Sequence, residues 1–578
     1  MVKLGPDGGL TVALPGLTLE AVSRFSWEGG SYNTFGRDPD CRPQPEWRVT
    51  ANGTQGVVGT ARDYRVNRTV RWNGHRVDIS DELTNLTAND IGLRFDHRLR
   101  AQPAEMATIY LNGDPDPAKS QATGYENSSV FVEGLQSGCA LLAQDDVSRV
   151  QGVAYYELGA GIRSDSFCLP AGGSYTLRWS LYPVGRPDYY DFINLARRDL
   201  GVNSTVPGGF DFSLLQAGSL DDAALKKQID QRGLRYLSSG VWMESGAAVP
   251  CYHGPHMLEA TNLRQRLRAA CDKLRRVAPE TKSLIYIHCY INTDPKGPEL
   301  FADSRVLDKD GKHYENTGYT QSIGIPFLYY YPALDNRYFG AMKDVVDMCL
   351  DREAIGADGI YWDEVEMMSA GRSYDRWDGH SAELDAQHRI VKKYGHTMLL
   401  SLEAKKALTE YVQAKGGELI GNSVAQTETM MRLGFPRFVE TASIWYPART
   451  HLYTPIALGD HLTVKTFDDL LADIRLKLMW GSLYYYYSRP AQPHPTITQR
   501  MFPFTPIELH RGWLLGRERL LTAVPGTFTL GDDAPVSVHW YGADGKEMDR
   551  VVEERVEQGR RLVRLPLGER EMAVIVRR

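Results

Sequence analysis

The sequence predicts a multidomain chain of mixed class: an N-terminal β-sandwich of the supersandwich kind, a central (β/α)8 barrel and a small C-terminal antiparallel β unit. Three observations predict it. At 578 residues the chain exceeds what one hydrophobic core serves. Near residue 230 its texture changes from short alternating runs to apolar runs separated by helical patterns. After residue 521 helical periodicity stops. The boundaries read from these changes are 1–210, 211–521 and 522–578.

In the first region, Tyr64-Arg65-Val66 and Thr69-Val70-Arg71-Trp72 alternate in polarity up to Asn73-Gly74, and His75-Arg76-Val77-Asp78-Ile79 resumes the alternation. Asn-Gly accepts the positive φ of a type I′ turn, so a hairpin is expected there. Ser174 to Tyr182 alternates in the same way. Strands with one wet face and almost no long helical pattern argue for a sandwich of some 200 residues.

The second region offers eight strand-like runs: 234–241, 283–288, 326–331, 359–363, 418–422, 437–440, 453–458 and 482–487. Between them Leu263, Leu267, Cys271 and Leu274 fall on one helical face, as do Phe339, Met342, Val346 and Leu350. Thr466-x-x-Asp469 and Thr505-x-x-Glu508 have the form of capping boxes, the second with Pro506 at the first helical position. Gly416-Gly417 ends the helix that starts near Leu402. Such an alternation over this length fits a (β/α)8 barrel, with an open doubly wound sheet as its competitor. In the last region 527–530, 536–540 and 572–576 read as strands.

Composition narrows the function. No run approaches the ~20 apolar residues of a membrane-spanning helix, and a formal charge of −6 with scattered basic residues gives no footprint for nucleic acid. The seven cysteines contain no CxxC pair and fit a reduced compartment. No apolar run follows Lys3, so no signal peptide is expected. The expected location is cytoplasmic, or periplasmic or secreted if a leader has been removed. The sequons at Asn52, Asn67, Asn85, Asn127 and Asn203 matter only in a glycosylating pathway. His253, His256 and His288 with Cys251 and Cys289 lack the spacing of a zinc set, and no phosphate loop or serine-nucleophile elbow appears. No cofactor and no metal are therefore expected, and a homo-oligomer stays open.

In a barrel of this class chemistry sits at the C-terminal strand ends. The fourth run ends Asp358-Gly359-Ile360-Tyr361-Trp362-Asp363-Glu364-Val365-Glu366, and the sixth ends in Glu440. Asp-Gly-Ile-Tyr-Trp-Asp resembles the fourth-strand ending of many retaining glycoside hydrolases, whose last Asp is the nucleophile. The order of sandwich, barrel and small β domain is similar to the α-galactosidase and endo-α-N-acetylgalactosaminidase groups. The resemblance implies Asp363 as nucleophile and, after the sixth strand, Glu440 as general acid/base. The α-galactosidases usually carry Asp there, and the second group places Glu after the fifth strand, where Glu428 is the nearest match; Glu366, at the end of the fourth run, is a further rival by its strand-end position.

Cleavage of a glycosidic bond needs a carboxyl group on each side of it. Trp242, Tyr330, Trp362, Trp445 and Tyr486 are the expected sugar platforms, and Glu244, His288, Asn292, Glu364 and Asn422 the expected hydroxyl ligands. The predicted partner is a carbohydrate. A polysaccharide lyase with a Tyr or His base, and a non-catalytic carbohydrate-binding protein, are the alternatives.

Overall fold

The structure is a computed structural model that describes residues 2–115, 121–122, 127–157, 159–243, 251–366, 370–422, 427–440, 447–487 and 490–578. It is mixed α/β with many sheets.

The N-terminal part stacks two eight-stranded sheets. In strand Leu17–Trp27, Leu17, Leu19 and Ala21 are buried while Thr18 and Glu20 face water, the alternation a half-wet sheet requires. Leu19, Ile79, Leu141 and Leu181 form one core, and Phe25, Phe95, Phe167 and Leu177 another. Arg68 and Asp81 are fully buried between the sheets. Their bidentate pairing at 2.6 and 2.7 Å is completed by Ser23, Gly8 O and the Trp179 indole N–H, which offsets the cost of removing both charges from water. The hairpin at residue 74 exists with a different turn. Asn73 pairs with Arg76, so the loop is Gly74-His75, and only Gly74 (φ 64°) has a positive φ, whereas type I′ needs two.

The central part holds parallel strands in the order Gly209–Asp211, Leu234–Ser238, Lys282–His288, Gly359–Asp363, Glu418–Asn422 and Arg437–Phe438, followed by the parallel pair Ile456–Leu458 and Leu483–Tyr485. Glu440 bridges to Leu458, and the Tyr486 N–H donates to Phe210 O at 2.9 Å, so the sheet curls until its last strand meets its first. Helices Asp222–Arg232, Thr261–Val277, Arg337–Leu350, Leu402–Ala414 and Phe467–Met479 lie between strands. The expected face of Thr261–Val277 is buried at Leu263, Leu267, Cys271 and Leu274. The capping box at Thr466 and Asp469 is present. Gly416 (φ 72°) closes the helix Leu402–Ala414, taking the left-handed conformation that a side chain disfavours.

Two expected elements are corrected. The run 326–331 is not a strand of the parallel sheet: Leu328–Tyr329 pairs antiparallel with Ile291–Asn292 in the long excursion after the third strand. Its place is taken by Gly209–Asp211, only three residues long. The two errors cancel in the count, so Gly359–Asp363 remains the fourth strand and Arg437–Phe438 the sixth. Pro506 starts strand Pro506–His510 rather than a helix, and Thr505 is held by Glu518 instead of Glu508. That strand opens a six-stranded antiparallel sheet which runs through Arg519–Thr522 to Met572–Arg577. No described helix is long and apolar enough to cross a membrane.

Candidate active site

The C-terminal ends of the parallel strands converge on a cavity of about 680 Å³. Phe212, Gly240, His288, Asp363, Glu440, His461 and Tyr487 line it from seven different strand ends, and Asn422 at the eighth touches two of them. A strand turns alternate side chains to opposite faces, so Tyr361 and Asp363 point in with Tyr286 and His288 on the neighbouring strand.

Asp363 is held by three donors. Tyr286 Oη donates to Oδ2 at 2.7 Å, Asn422 Nδ2 to Oδ1 at 2.8 Å, and Tyr361 Oη reaches Oδ1 at 3.4 Å. Burial and the nearby carboxylate push both tyrosines well above their ordinary range, so they stay protonated donors. Asn422 Nδ2 also reaches Glu440 Oε1 at 3.4 Å. One amide thus ties the two carboxyl groups. Burial, and then the charge of Asp363, push Glu440 up to about 7, against a smaller opposite pull from Asn422. Glu364 is pushed well above the carboxylate range by burial, Asp363 and Glu440.

His288 is fixed as a neutral donor. Its Nδ1 accepts the backbone N–H groups of Tyr290 at 3.1 Å and Ile291 at 3.0 Å, which leaves the proton on Nε2. Burial lowers its pKa to about 3. Nε2 faces Glu364 Oε2 at 3.5 Å and Asp363 Oδ2 at 4.0 Å.

Of the expected site residues, Asp363, Glu440, His288, Glu364 and Asn422 come together here. Trp362 does not: one position from Asp363 on the same strand, it faces the opposite side and is 1% exposed in the core. Asn292 is buried outside the cavity, where its Oδ1 accepts the His256 and Asp294 N–H groups. Tyr330 stacks on Tyr338 with centroids 5.3 Å apart, in the core. Tyr486 is buried and bonds Thr498 and Gln492, while its neighbour Tyr487 faces the cavity. Glu244 and Trp445 lie outside the described residues, as does the side chain of Trp242.

The two rival carboxylates are occupied elsewhere. Glu366 is fully buried against Lys405 and accepts the Thr427 N–H and hydroxyl. Glu428 pairs with Arg178 and Arg432, and after burial's opposing effect these hold it below its usual range. Reading for strand ends alone missed Tyr286, Tyr361 and Tyr319. The period of two would have found the first pair from His288 and Asp363, whereas Tyr319 arrives on the helix Thr317–Ile323 of the excursion after the third strand.

No family model matches the sequence, and no curated protein matches it. Solved structures do. α-N-acetylgalactosaminidase NagBb from Bifidobacterium bifidum, in complex with Gal-NHAc-DNJ, superposes with a TM-score of 0.54 at 11% identity, covering 90% of this chain and 97% of its own. The GH36 α-galactosidase AgaA from Geobacillus stearothermophilus, in complex with 1-deoxygalactonojirimycin, does so with a TM-score of 0.51 at 10% identity, covering 98% and 90%. The chain shares their fold. Identity this low speaks for architecture and leaves the chemistry to the residues described above.

Proposed function

We propose that the chain is a retaining glycoside hydrolase built on a (β/α)8 barrel between about residues 209 and 500, with Asp363 as nucleophile and Glu440 as general acid/base. The joined first and last strands favour a barrel over an open sheet, and the pairing of Pro506–His510 favours starting the C-terminal β unit near residue 505.

The observation that carries the reading is the Asn422 bridge between two carboxyl groups in one cavity. In the first step an Asp363 oxygen forms a bond to the anomeric carbon while the leaving oxygen takes the Glu440 proton. In the second, Glu440 accepts a proton from water as that water's oxygen displaces Asp363. A carboxyl near 7 suits both roles, because it is close to half protonated at neutral pH. The lyase alternative needs a free base, but Tyr286 and Tyr361 are raised donors and the His288 proton already sits on the cavity-facing nitrogen. A uronate would also meet three carboxyl groups.

The test is turnover of aryl α- and β-glycosides, beginning with α-galactosides and α-N-acetylgalactosaminides, by wild type, Asp363→Asn and Glu440→Gln. A loss of ~10³-fold or more in kcat for Asp363→Asn, with an unchanged circular-dichroism spectrum, is expected. For Glu440→Gln the loss shrinks as the aryl leaving group becomes more acidic, because such a group departs without a proton. Near-normal rates in Asp363→Asn, or unsaturated products from wild type, defeat the proposal.

A further inference from the structure

Glu364 carries a conformational oddity that the two-carboxylate scheme does not use. It follows the proposed nucleophile directly, and its φ of 50° puts a side-chain-bearing residue in the left-handed region, at a cost of roughly 1 kcal/mol. This backbone twist breaks the strand alternation, so Glu364 lines the same cavity as Asp363 rather than its opposite face. There Glu364 Oε2 is buried with no hydrogen-bond partner among the described residues. Facing it at 3.5 Å is Nε2 of His288, a side chain only 4% exposed, whose other nitrogen is spent on two backbone N–H groups. The cavity therefore ends, beside the reacting carboxylate, in one fixed donor and one open carboxyl oxygen that do not satisfy each other.

We propose that His288 and Glu364 form a single recognition pair for the hydroxyl on the carbon next to the anomeric carbon. This deepens the hydrolase reading and rests on it. Position selects that hydroxyl. His288 Nε2 lies 4.0 Å from Asp363 Oδ2, which puts the imidazole within reach of a substituent on the carbon next to the one that Asp363 attacks. The hydroxyl oxygen accepts the Nε2–H, and the open Glu364 oxygen takes up the hydroxyl proton as its acceptor. Burial beside Asp363 and Glu440 favours the protonated form of Glu364, which still leaves one carboxyl oxygen as an acceptor and adds no charge to the site. Bonds to this hydroxyl strengthen as the ring flattens towards the oxocarbenium-like state, so the pair acts on kcat more than on KM.

The experiment compares the glycoside that wild type turns over with its 2-deoxy and 6-deoxy analogues, in wild type, His288→Gln, His288→Ala, Glu364→Gln and Glu364→Ala. Ratios between enzymes cancel the different intrinsic reactivity of the analogues. Glu364→Ala and His288→Ala are expected to lose ~100-fold in kcat on the parent but under ~5-fold on the 2-deoxy analogue, with the parent/6-deoxy ratio unchanged. The double alanine variant is expected to lose little more than either single one, and His288→Gln, which keeps a terminal donor, to recover part of the loss. If wild type hydrolyses only glycosides with an acetamido group at that carbon, or its parent/2-deoxy ratio survives in all four variants, or the change falls on the 6-deoxy ratio, the pair is overturned and the hydrolase reading stands. If wild type hydrolyses no glycoside, the hydrolase reading itself has failed.

Discussion

In the proposed mechanism a carboxyl raised to about 7 must be protonated before it can give a proton away, so the basic side of the pH profile is expected to belong to Glu440. kcat/KM is expected to fall above pH about 7, and Glu440→Gln to flatten that limb on substrates whose leaving group needs no proton. Stability follows the same shift with a definite sign. In the unfolded chain a glutamate titrates near ~4.3. Below that value Glu440 is protonated in both states and costs nothing extra. Between that value and its raised folded value of about 7 the unfolded chain ionises this carboxyl while the native protein keeps it protonated, so stability is lost across that window and levels off above it. Glu440→Gln removes that burden and should be more stable than wild type at pH 8 by on the order of 1–3 kcal/mol, with the gain vanishing below pH ~4. Urea denaturation at the two pH values checks this, and a gain at low pH instead would reverse the assignment.

At the scale of elements, strand Gly359–Asp363 separates chemistry from packing by alternation. Tyr361 touches Asp363, whereas Trp362 is buried on the far face. Trp362→Phe should cost ~1–3 kcal/mol in denaturant while leaving kcat/KM within about threefold, and Tyr361→Phe should do the reverse. Beyond the strand, the buried Lys405–Glu366 pair and its bonds to Thr427 hold the chain that follows Asp363 against the helix after it. Glu366→Gln leaves a buried ammonium unpaired and should cost ~3–5 kcal/mol, and adding Lys405→Met should restore most of it in a double-mutant cycle.

These elements also mark what was legible in the sequence. That Asp363 and Glu440 line one cavity was legible, because a carboxylate ending an apolar strand is costly to bury in the sheet and so belongs at the open end of the strands. Gly209–Asp211 was not, since three residues carry no periodicity. The run 326–331 imitated a strand because bulk alone does not distinguish a sheet from a packed excursion, and Trp362, Tyr330 and Tyr486 were misread because a large aromatic near a strand end packs in the core as readily as it faces a cavity. Glu366 and Glu428 looked like rivals until their partners, Lys405 and Arg178, arrived from distant parts of the chain.

At the scale of the molecule, the sandwich, the curled sheet and the C-terminal strands share one apolar core. It runs from Phe131, Tyr182 and Phe192 through Phe210, Tyr361 and Tyr485 to Leu514 and Val574 without interruption. Polar ties cross the same seams: Arg178 pairs with Glu428, Thr429 bonds Asp146, Arg197 bonds His451 O, and Asn194 exchanges two bonds with Leu509. Separating the sandwich and its following helix would expose Tyr190, whose ring lies 5.5 Å from His451 and whose hydroxyl donates to Trp480 O, and burying such an aromatic is worth ~1.5–3 kcal/mol. The sandwich nevertheless keeps cores of its own around Leu19 and Phe95. The shared core should dominate, because unfolding either side leaves the other with an open apolar face. Calorimetry on the full chain is therefore expected to show one cooperative transition, and Phe131→Ala, far from Asp363 in sequence, to lower it as a whole. Two resolved transitions, with Phe131→Ala shifting only one, would mean that the sandwich folds independently and that the seam contributes little.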